Sequence, residues 1–305
     1  MTLREQLQAK DNDYSRFEPF RDPTPITTTI ITPAYNKPEL LRYTLNSLNQ
    51  NREIQHSPDL FNLVIVDDAS QEDISSVIVE CQVTIRHQLV LHSANEGPAS
   101  ARNTGIKYAT GELIVFLDSD MLIPTEYFQA HWQVHNACDN AIALGFAENI
   151  QEGDDISDAL KRMPIIDKDF RFKKELSLCP DGDGPQTFYL MRDTNQFRHF
   201  GNGKNIGFWT LPYMVVTHNM SVRKSRCFEV GGLDTRFRGW GLEDTFFGAK
   251  LIANGAYVIP VLSSGAFRIK HAPRKSDGRT RSQEMLDNMK LYEAFLDEKN
   301  TPRFV

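Results

Sequence analysis

The 305-residue sequence lacks the features of a membrane-spanning or zinc-binding protein. No segment approaches the roughly 20 apolar residues that a transmembrane helix needs. The four cysteines, Cys81, Cys138, Cys179 and Cys227, are far apart in the sequence, which excludes a Cys-x-x-Cys zinc motif. So few cysteines are typical of reduced thiols in a cytosol, although the sequence leaves two disulfides open.

The chain also lacks an excess of positive charge, since its formal net charge is −6 at pH 7. This balance excludes a general attraction to nucleic acid or to anionic membranes. Residues 1–13 are charged and contain no apolar stretch, so we expect no signal peptide there. We therefore expect a cytoplasmic protein with no nucleic-acid partner. Any membrane association would be peripheral, at the inner face of the plasma membrane.

Two common nucleotide-binding motifs are absent. No Gly-x-Gly-x-x-Gly follows the first predicted strand and no Gly-Lys-Ser/Thr loop occurs, which excludes the dinucleotide fingerprint and the P-loop. A nucleotide base would have to be held another way. The carboxylate of Asp67 or Asp68 could accept a hydrogen bond from a base N–H while Tyr35 stacks on the ring.

What the sequence does contain is a regular alternation of strand and helix patterns over its first 120 residues. Such alternation predicts a parallel sheet with right-handed crossovers. Three of the four strands end in polar loops, which should emerge along one edge of that sheet. The strands expected from β-branched and apolar runs cover residues 27–32, 60–66, 88–92 and 113–117, with later strands at 213–217 and 257–262.

The most informative stretch is an apolar run, Leu113 to Leu117, that ends in Asp118-Ser119-Asp120. Five apolar residues in a row predict a strand buried on both faces, which delivers two carboxylates to the ligand-binding edge of the sheet. Close carboxylates repel each other unless a cation lies between them. Because oxygen ligands favour Mg²⁺ or Mn²⁺, we predict a metal–diphosphate site, with two solvated loop aspartates as the alternative.

A second pair of acids, Glu243 and Asp244, follows a tight Gly239-Trp240-Gly241 turn. Acids at the start of a helix are stabilised by its dipole, so an N-terminal cap is the simpler explanation. Glycine on both sides of an aromatic is more than a cap requires. An exposed Trp240 beside a carboxylate would hold a sugar, and the carboxylate could take a proton from an attacking hydroxyl.

A basic segment, Arg268 to Lys275, follows the last predicted strand. A lone histidine is most often structural or exposed. Here His271 could instead complete the coordination of a metal on Asp120, with Lys270 and Arg274 facing the diphosphate.

With these residues assembled, the sequence resembles family 2 glycosyltransferases of the GT-A fold. Residues 219–255 are similar to the galactosyltransferase-type segment of β-1,4-galactosyltransferases and bacterial chondroitin-polymerase-like enzymes. The hallmark Gly-Trp-Gly-x-Glu-Asp stands at 239–244, where Leu242 replaces the usual small residue and leaves the donor and acceptor open. The family 2 pieces are residues 31–36, 66–70, 95–97 with 101–103, and 116–120.

The resemblance implies an α/β protein with a Rossmann-like central mixed sheet flanked by helices, in a single catalytic domain with an insertion. It implies a metal-dependent inverting transferase that moves a sugar from a UDP-sugar to a hydroxyl acceptor, with Mn²⁺ or Mg²⁺ as cofactor. The expected acceptor is a saccharide of a bacterial polysaccharide or glycoconjugate, with a peptide or a small molecule as the alternatives.

The resemblance also assigns roles to individual residues. Asp120 and His271 would bind the metal. Asp244 would be the general base, with Glu243 beside it. The acceptor would contact Trp240, Gly241 and Glu243. The residues assigned to the nucleotide are Pro33, Ala34, Tyr35, Asp67 or Asp68, Asn95, Arg102 and Asp118.

Three other activities remain open. A nucleotidyltransferase also uses an α/β sheet and paired aspartates, but it should carry a basic, glycine-rich loop where residues 32–35 stand. A non-catalytic carbohydrate- or nucleotide-binding derivative would be marked by degenerate carboxylates. A retaining transferase would be distinguished by the anomer of its product.

The expected organisation has five parts. Residues 151–215 contain charge runs and a turn cluster, which favour a substrate-binding insertion or lid. The parts are an extended N-terminal arm at 1–26, a nucleotide-sugar-binding half at 27–150, the insertion at 151–215, an acceptor-binding and catalytic half at 216–280, and a C-terminal helix at 281–305.

Overall fold

Eight strands in the described part of the chain form one mixed sheet with helices on both faces. The structure is a computed structural model that describes residues 1–10, 12, 14, 17, 22–150, 211–269, 271 and 280–298. Most of the predicted insertion, residues 151–210, lies outside the described residues, as do Lys270 and Arg274. The strands are β1 Thr28–Ala34, β2 Phe61–Asp67, β3 Arg86–Leu91, β4 Leu113–Leu117, β5 Met121–Leu122, β6 Ala141–Ile150, β7 Asn219–Arg223 and β8 Tyr257–Ile269.

The sheet is parallel in one half and mixed in the other. Its order is β3-β2-β1-β4-β7-β6-β8-β5. Strands β1 to β4 are mutually parallel where they pair, as predicted, and β4 covers the expected residues 113–117. Strand β7 is antiparallel to β4 and β6, while β8 is parallel to β6. The prediction of a central mixed sheet is therefore confirmed.

Helices cover the two faces of the sheet. None of the described helices is long and apolar enough to cross a bilayer. The helices are α1 Leu3–Gln8, α2 Pro38–Asn49, α3 Arg52–His56, α4 Ile74–Glu80, α5 Pro98–Tyr108, α6 Phe128–Ala137, α7 Lys224–Glu229, α8 Glu243–Ala253 and α9 Arg281–Leu296.

Alternate side chains along a strand point to opposite faces of the sheet, so most of the apolar core lies in two clusters, one on each face. In β4, Ile114 and Phe116 join the apolar cluster that contains α8 and α9, while Val115 joins the cluster that contains α2 and α4. Helix α5 lies very close to β1, because a Cβ on Gly105 would be 2.3 Å from the Cγ2 of Ile31. Gly105 therefore allows α5 to pack tightly on the sheet.

The polar strand β7 is where the sequence prediction was wrong. Residues 213–217 were expected to be a strand, but a 3₁₀ turn covers Pro212–Met214 and the strand begins at Asn219. The sequence of this strand was not recognised because Asn219 and Ser221 are polar, whereas buried strands are normally apolar. Here partners satisfy them: the Tyr127 hydroxyl donates to Asn219 at 2.6 Å, and two histidines contact the Ser221 hydroxyl.

The N-terminal segment also differs from its prediction as an extended arm. Thr2 and Glu5 form a capping box that begins α1, and Leu3 and Leu7 are buried against α8 and α9. Six residues make too weak a helical pattern to recognise, and their stability comes from this tertiary packing. Helix α6 and strand β6 were likewise not predicted.

Candidate active site

Strands β1, β2 and β4 bring their carboxyl ends to one edge of the sheet. The chain leaves β1 toward β2 on one side and later returns to β4 on the other, which makes this edge the switch point where α/β sheets bind ligands. Pro33 and Ala34 end β1, and a half-buried Tyr35 follows them. The backbone N–H of Asn36 donates to the Ser70 hydroxyl at 2.7 Å, which joins the loops after β1 and β2.

Asp67 and Asp68 follow β2 but have different surroundings. The Asp68 carboxylate accepts the backbone N–H groups of Glu96 and Gly97, both at 2.8 Å, and contacts His92 Nδ1 at 2.8 Å. The side-chain amide of Asn95 donates to the Asp68 carbonyl at 3.2 Å. These four contacts make Asp68 and Asn95 braces of the turn that begins α5.

The Asp67 carboxylate, by contrast, accepts one hydrogen bond within the described residues, from the backbone N–H of Ser70 at 2.9 Å. That bond uses Oδ1, and Oδ2 is left for a ligand. Of the two candidates, Asp67 is the one whose carboxylate can still bind a base.

A buried guanidinium joins the two halves of the site. Arg102, 5% exposed, donates from Nη2 to Asp118 Oδ1 at 2.8 Å and from Nη1 to Glu243 Oε1 at 3.5 Å. Burial disfavours the charged form, but the carboxylates of Asp118, Glu243 and Asp244 outweigh it and raise the pKa of Arg102. Its Nε is buried and has no hydrogen-bond partner among the described residues.

The predicted metal ligands Asp120 and His271 lie together. Asp120 Oδ2 accepts from Arg268 Nε at 2.9 Å and lies 3.2 Å from His271 Nε2. Burial raises the pKa of Asp120, but the hydrogen bonds from His271 and Arg268 outweigh it and hold the pKa at about 2. Lys37 Nζ contacts the other ring nitrogen of His271, which brings the loop after β1 to this carboxylate.

The residues at Asp120 fit a hard divalent ion. Asp120 Oδ1 is buried and has no hydrogen-bond partner in the part of the chain that is described. A carboxylate with an imidazole is a donor set that Mn²⁺ accepts. The described residues contain no group of three or more His, Cys, Asp or Glu that could hold an ion unaided. Water and a bound diphosphate would therefore have to supply the remaining ligands, as is usual for Mg²⁺ sites.

The Gly239-Trp240-Gly241 turn presents its aromatic ring to solvent. Gly239 and Gly241 have φ of +75° and +99°, and the Trp240 side chain is 49% exposed. Leu242 follows with φ of +72°, although its side chain is buried. A left-handed leucine is strained by about 1–2 kcal/mol, which explains why the related pattern has a small residue there.

Glu243 and Asp244 are the first two residues of α8. Burial and then the charge of Asp244 raise the pKa of Glu243 to about 7. Burial also raises the pKa of Asp244, against the effect of Arg102. Two adjacent acids titrate as a pair, so burial and their mutual repulsion keep a proton on the pair to a higher pH than on a single exposed carboxylate.

Most of the predicted residues lie in one connected group, but not all. Arg102 links Asp118 to Glu243, and Lys37 links the loop after β1 to His271. Within the described residues, the indole of Trp240 makes its one ring contact with α9 rather than with the acids of α8.

Sequence reasoning gave no role to Arg268 or Lys37. Each was visible as a basic residue near a strand end, but nothing in the sequence paired them with Asp120 and His271. It also passed over His218, whose pKa burial and the charge of Arg268 lower to about 4. That histidine is therefore neutral at pH 7.

Comparison with known families agrees with this geometry. Residues 29–198 match glycosyl transferase family 2, and residues 208–272 match a family described as the N-terminal domain of galactosyltransferase. The chondroitin synthase of Escherichia coli is 24% identical over 260 residues, which are 83% of this chain and 36% of that enzyme. The chain thus spans little more than a third of that relative.

Solved structures share the fold. The mannosyltransferase PcManGT from Pyrobaculum calidifontis, in complex with GDP-Man and Mn²⁺, aligns with a TM-score of 0.59 at 17% identity, covering 98% of this chain and 71% of that one. TarS 1–349 from S. aureus, in complex with UDP-GlcNAc, aligns with a TM-score of 0.57 at 16% identity, covering 88% and 66%. Identities this low show the fold alone.

The family 2 match covers more than half of the 305 residues and includes each polar loop at the carboxyl ends of β1, β2 and β4, from Pro33 to Asp120. The match that follows it includes the Gly-Trp-Gly turn and both acids of α8. The chain therefore belongs to glycosyl transferase family 2 and has the GT-A fold.

Proposed function

We propose that this chain is a metal-dependent inverting glycosyltransferase that moves a sugar from a UDP-sugar to a hydroxyl group of a saccharide, glycoconjugate or peptide acceptor. The observation that carries the proposal is the bridge made by Arg102. Its guanidinium is 2.8 Å from Asp118, which follows β4, and 3.5 Å from Glu243, the first residue of α8. One side chain thus connects the carboxylate that would lie near the donor ribose to the acidic pair that contains the proposed base, and a displacement reaction needs donor and base to be held together in this way.

The donor nucleotide would lie over the ends of β1 and β2. Asp67 would accept a hydrogen bond from the uracil N–H through its remaining carboxylate oxygen, while Tyr35 would stack on the ring. Pro33 and Ala34 would line the base, and Asp118 would lie near the ribose. The neighbour with UDP-GlcNAc supports a uridine donor, whereas the one with GDP-Man keeps guanosine as the alternative to test.

Asp120 and His271 would hold Mn²⁺ or Mg²⁺. When bound, the ion would offset the negative charge that develops on the leaving diphosphate. Arg268 and Lys37 add positive charge at the same carboxylate and imidazole. The chain thereby concentrates cations at one point although its net charge is −6.

Asp244 would act as the general base. It forms a buried acidic pair with Glu243, whose pKa burial and the charge of Asp244 raise to about 7. The ionised carboxylate would take the proton as the acceptor hydroxyl attacks the anomeric carbon from the face opposite the diphosphate. Glu243 would orient the acceptor, and the exposed ring of Trp240 would pack on the apolar face of a sugar.

The deciding experiment is nucleotide release from a panel of UDP- and GDP-sugars, with Mn²⁺ or with EDTA, in the presence and absence of saccharide acceptors. We expect release from one UDP-sugar, abolished by EDTA, and a product of inverted anomeric configuration by NMR. Release from a GDP-sugar instead would show that the donor is not a UDP-sugar. A product of retained anomeric configuration would overturn the inverting mechanism. The enzyme proposal would be overturned if no sugar nucleotide released its nucleotide and calorimetry detected no UDP binding.

A further inference from the structure

We propose that helix α9 is part of the acceptor site and that Asn288 and Glu284 are positioning residues, which hold the Gly239–Gly241 turn and so fix the exposed ring of Trp240. This inference rests on the proposed acceptor role of Trp240. The helix lies outside both matched segments, which end at residues 198 and 272. Neither family match therefore assigns the helix a role.

Hydrogen bonds from α9 hold the turn on both sides of the indole. The buried Asn288, 5% exposed, places Nδ2 at 2.8 Å from the Gly241 carbonyl, 3.1 Å from that of Arg238 and 3.3 Å from that of Trp240. The Glu284 carboxylate accepts the Trp240 backbone N–H at 3.0 Å. Helix α9 thus makes hydrogen bonds with both the backbone N–H and the backbone carbonyl of Trp240.

The glycines that flank Trp240 are explained by the same helix. A Cβ on Gly239 would lie 2.6 Å from Glu284 Cδ, and a Cβ on Gly241 would lie 2.8 Å from Met285 Sδ. A Cβ at either glycine would require the Glu284 or Met285 side chain to move from its present position. Both glycines also have positive φ, so the close approach and the backbone conformation select the same residue.

The indole and the helix meet directly as well. The Arg281 guanidinium lies over the Trp240 ring, 5.4 Å from its centroid, while half of the side chain stays exposed. Farther along α9, Tyr292 and Phe295 pack on Phe246, with ring centroids 6.1 Å and 5.2 Å apart. Phe246 belongs to α8, the helix that begins with Glu243 and Asp244. Helix α9 therefore fixes Trp240 relative to the proposed base.

The first test is hydrogen exchange, which needs no substrate. In Asn288→Ala, the amides of residues 239–242 should exchange at least about tenfold faster than in the parent protein, since a buried hydrogen bond worth about 1.4 kcal/mol is removed. Glu284→Gln should accelerate the Trp240 amide alone, and it serves as the second variant if Asn288→Ala folds poorly. Lys290→Ala, on the exposed side of the same helix, is the matched control and should leave the turn unchanged. Unchanged exchange at the turn in both positioning variants would overturn the proposal.

The second test separates positioning from general stability. Asn288→Ala should reduce kcat/KM for acceptor transfer at least about tenfold more than it reduces donor hydrolysis without acceptor, chiefly through the acceptor KM. In a Trp240→Ala background, Asn288→Ala should change kcat/KM for transfer little further, because the indole that Asn288 would position is already absent. An equal loss of transfer and hydrolysis, or full additivity, would overturn positioning. If Trp240→Ala alone leaves the acceptor KM unchanged, the proposed acceptor role fails instead, while the exchange result still judges the contact with α9.

Discussion

The proposed donor edge of this site, at the ends of β1, β2 and β4, and the proposed acceptor edge, at the Gly239–Gly241 turn, are built in different ways. At the donor edge, Asp67 and Asp118 stand at or directly after parallel strands whose ladders fix the backbone. At the acceptor edge, Trp240 lies on an irregular turn with three positive φ angles, and a helix 40 residues later in the chain holds it. A sheet edge tolerates little change of geometry, whereas a turn held by side chains can be re-aimed by single substitutions. We therefore expect donor chemistry to be the fixed part of this enzyme and acceptor choice the adjustable part.

We expect the largest loss of activity from a substitution at the acceptor edge, at the proposed general base Asp244. Asp244→Asn keeps the shape of the side chain but removes the charge that would take the hydroxyl proton. Transfer should fall by about 10²–10⁴-fold, the usual contribution of a positioned general base, while UDP binding stays unchanged by calorimetry. Glu243→Gln is the matched neighbour and should affect the acceptor KM more than the rate. Near-normal turnover of the Asp244 variant would assign the base elsewhere.

The next effect breaks the donor edge at the proposed metal site. Asp120→Asn should weaken Mn²⁺-dependent UDP binding by more than the roughly 10–100-fold that the loss of an outer-shell partner costs. The carboxylate is the one charged oxygen donor proposed here, and it has a buried oxygen without a partner among the described residues. Calorimetry with and without EDTA measures the effect. If the variant and the parent protein bind UDP equally well in Mn²⁺, Asp120 is not a metal ligand.

A third prediction divides the donor edge itself. Asp67→Asn should weaken UDP binding about tenfold or more, because a charged hydrogen bond to the base is lost, with little change in stability. Asp68→Asn should instead lower the free energy of unfolding by about 1–3 kcal/mol, since it cannot accept the N–H groups of Glu96 and Gly97 equally well. Chemical denaturation and calorimetry on both variants decide. If Asp68→Asn weakened UDP binding and Asp67→Asn lowered stability instead, Asp68 would be the base-binding residue and Asp67 the structural one.

The same contrast explains what could be predicted from the sequence. The four parallel strands and the loops after β1, β2 and β4 follow local patterns, apolar or β-branched runs that end in polar residues, and the structure has them within two or three residues of the prediction. Strand β7 could not be recognised, because Asn219 and Ser221 are buried only by virtue of partners in α6 and β8 that are remote in sequence.

Long-range pairing also limited the prediction of the site. The motif showed that Trp240, Glu243 and Asp244 belong together, but the contact of the turn with Asn288, which is 47 residues from Gly241, has no sequence signature. Arg268 was visible only as one of several basic residues, and its pairing with Asp120 across 148 residues depends on how β5 and β8 meet. Residue types could thus be chosen from local motifs, while their partners required the fold.

The smallest expected effect on activity sharpens the comparison at Leu242, where the related pattern has a small residue. Its backbone has φ of +72°, and its side chain is 3% exposed. Leu242→Ala removes buried carbons and keeps the strain, so it should lower the free energy of unfolding by about 2–5 kcal/mol. Leu242→Gly loses the same contacts but relieves a left-handed conformation worth about 1–2 kcal/mol. The glycine variant should therefore be more stable than the alanine variant by about 1 kcal/mol in urea denaturation, with transfer little changed in both, since neither touches the carboxylates. An alanine variant that is the more stable of the two would mean that position 242 is not left-handed in solution, and the turn would then owe its shape to α9 alone.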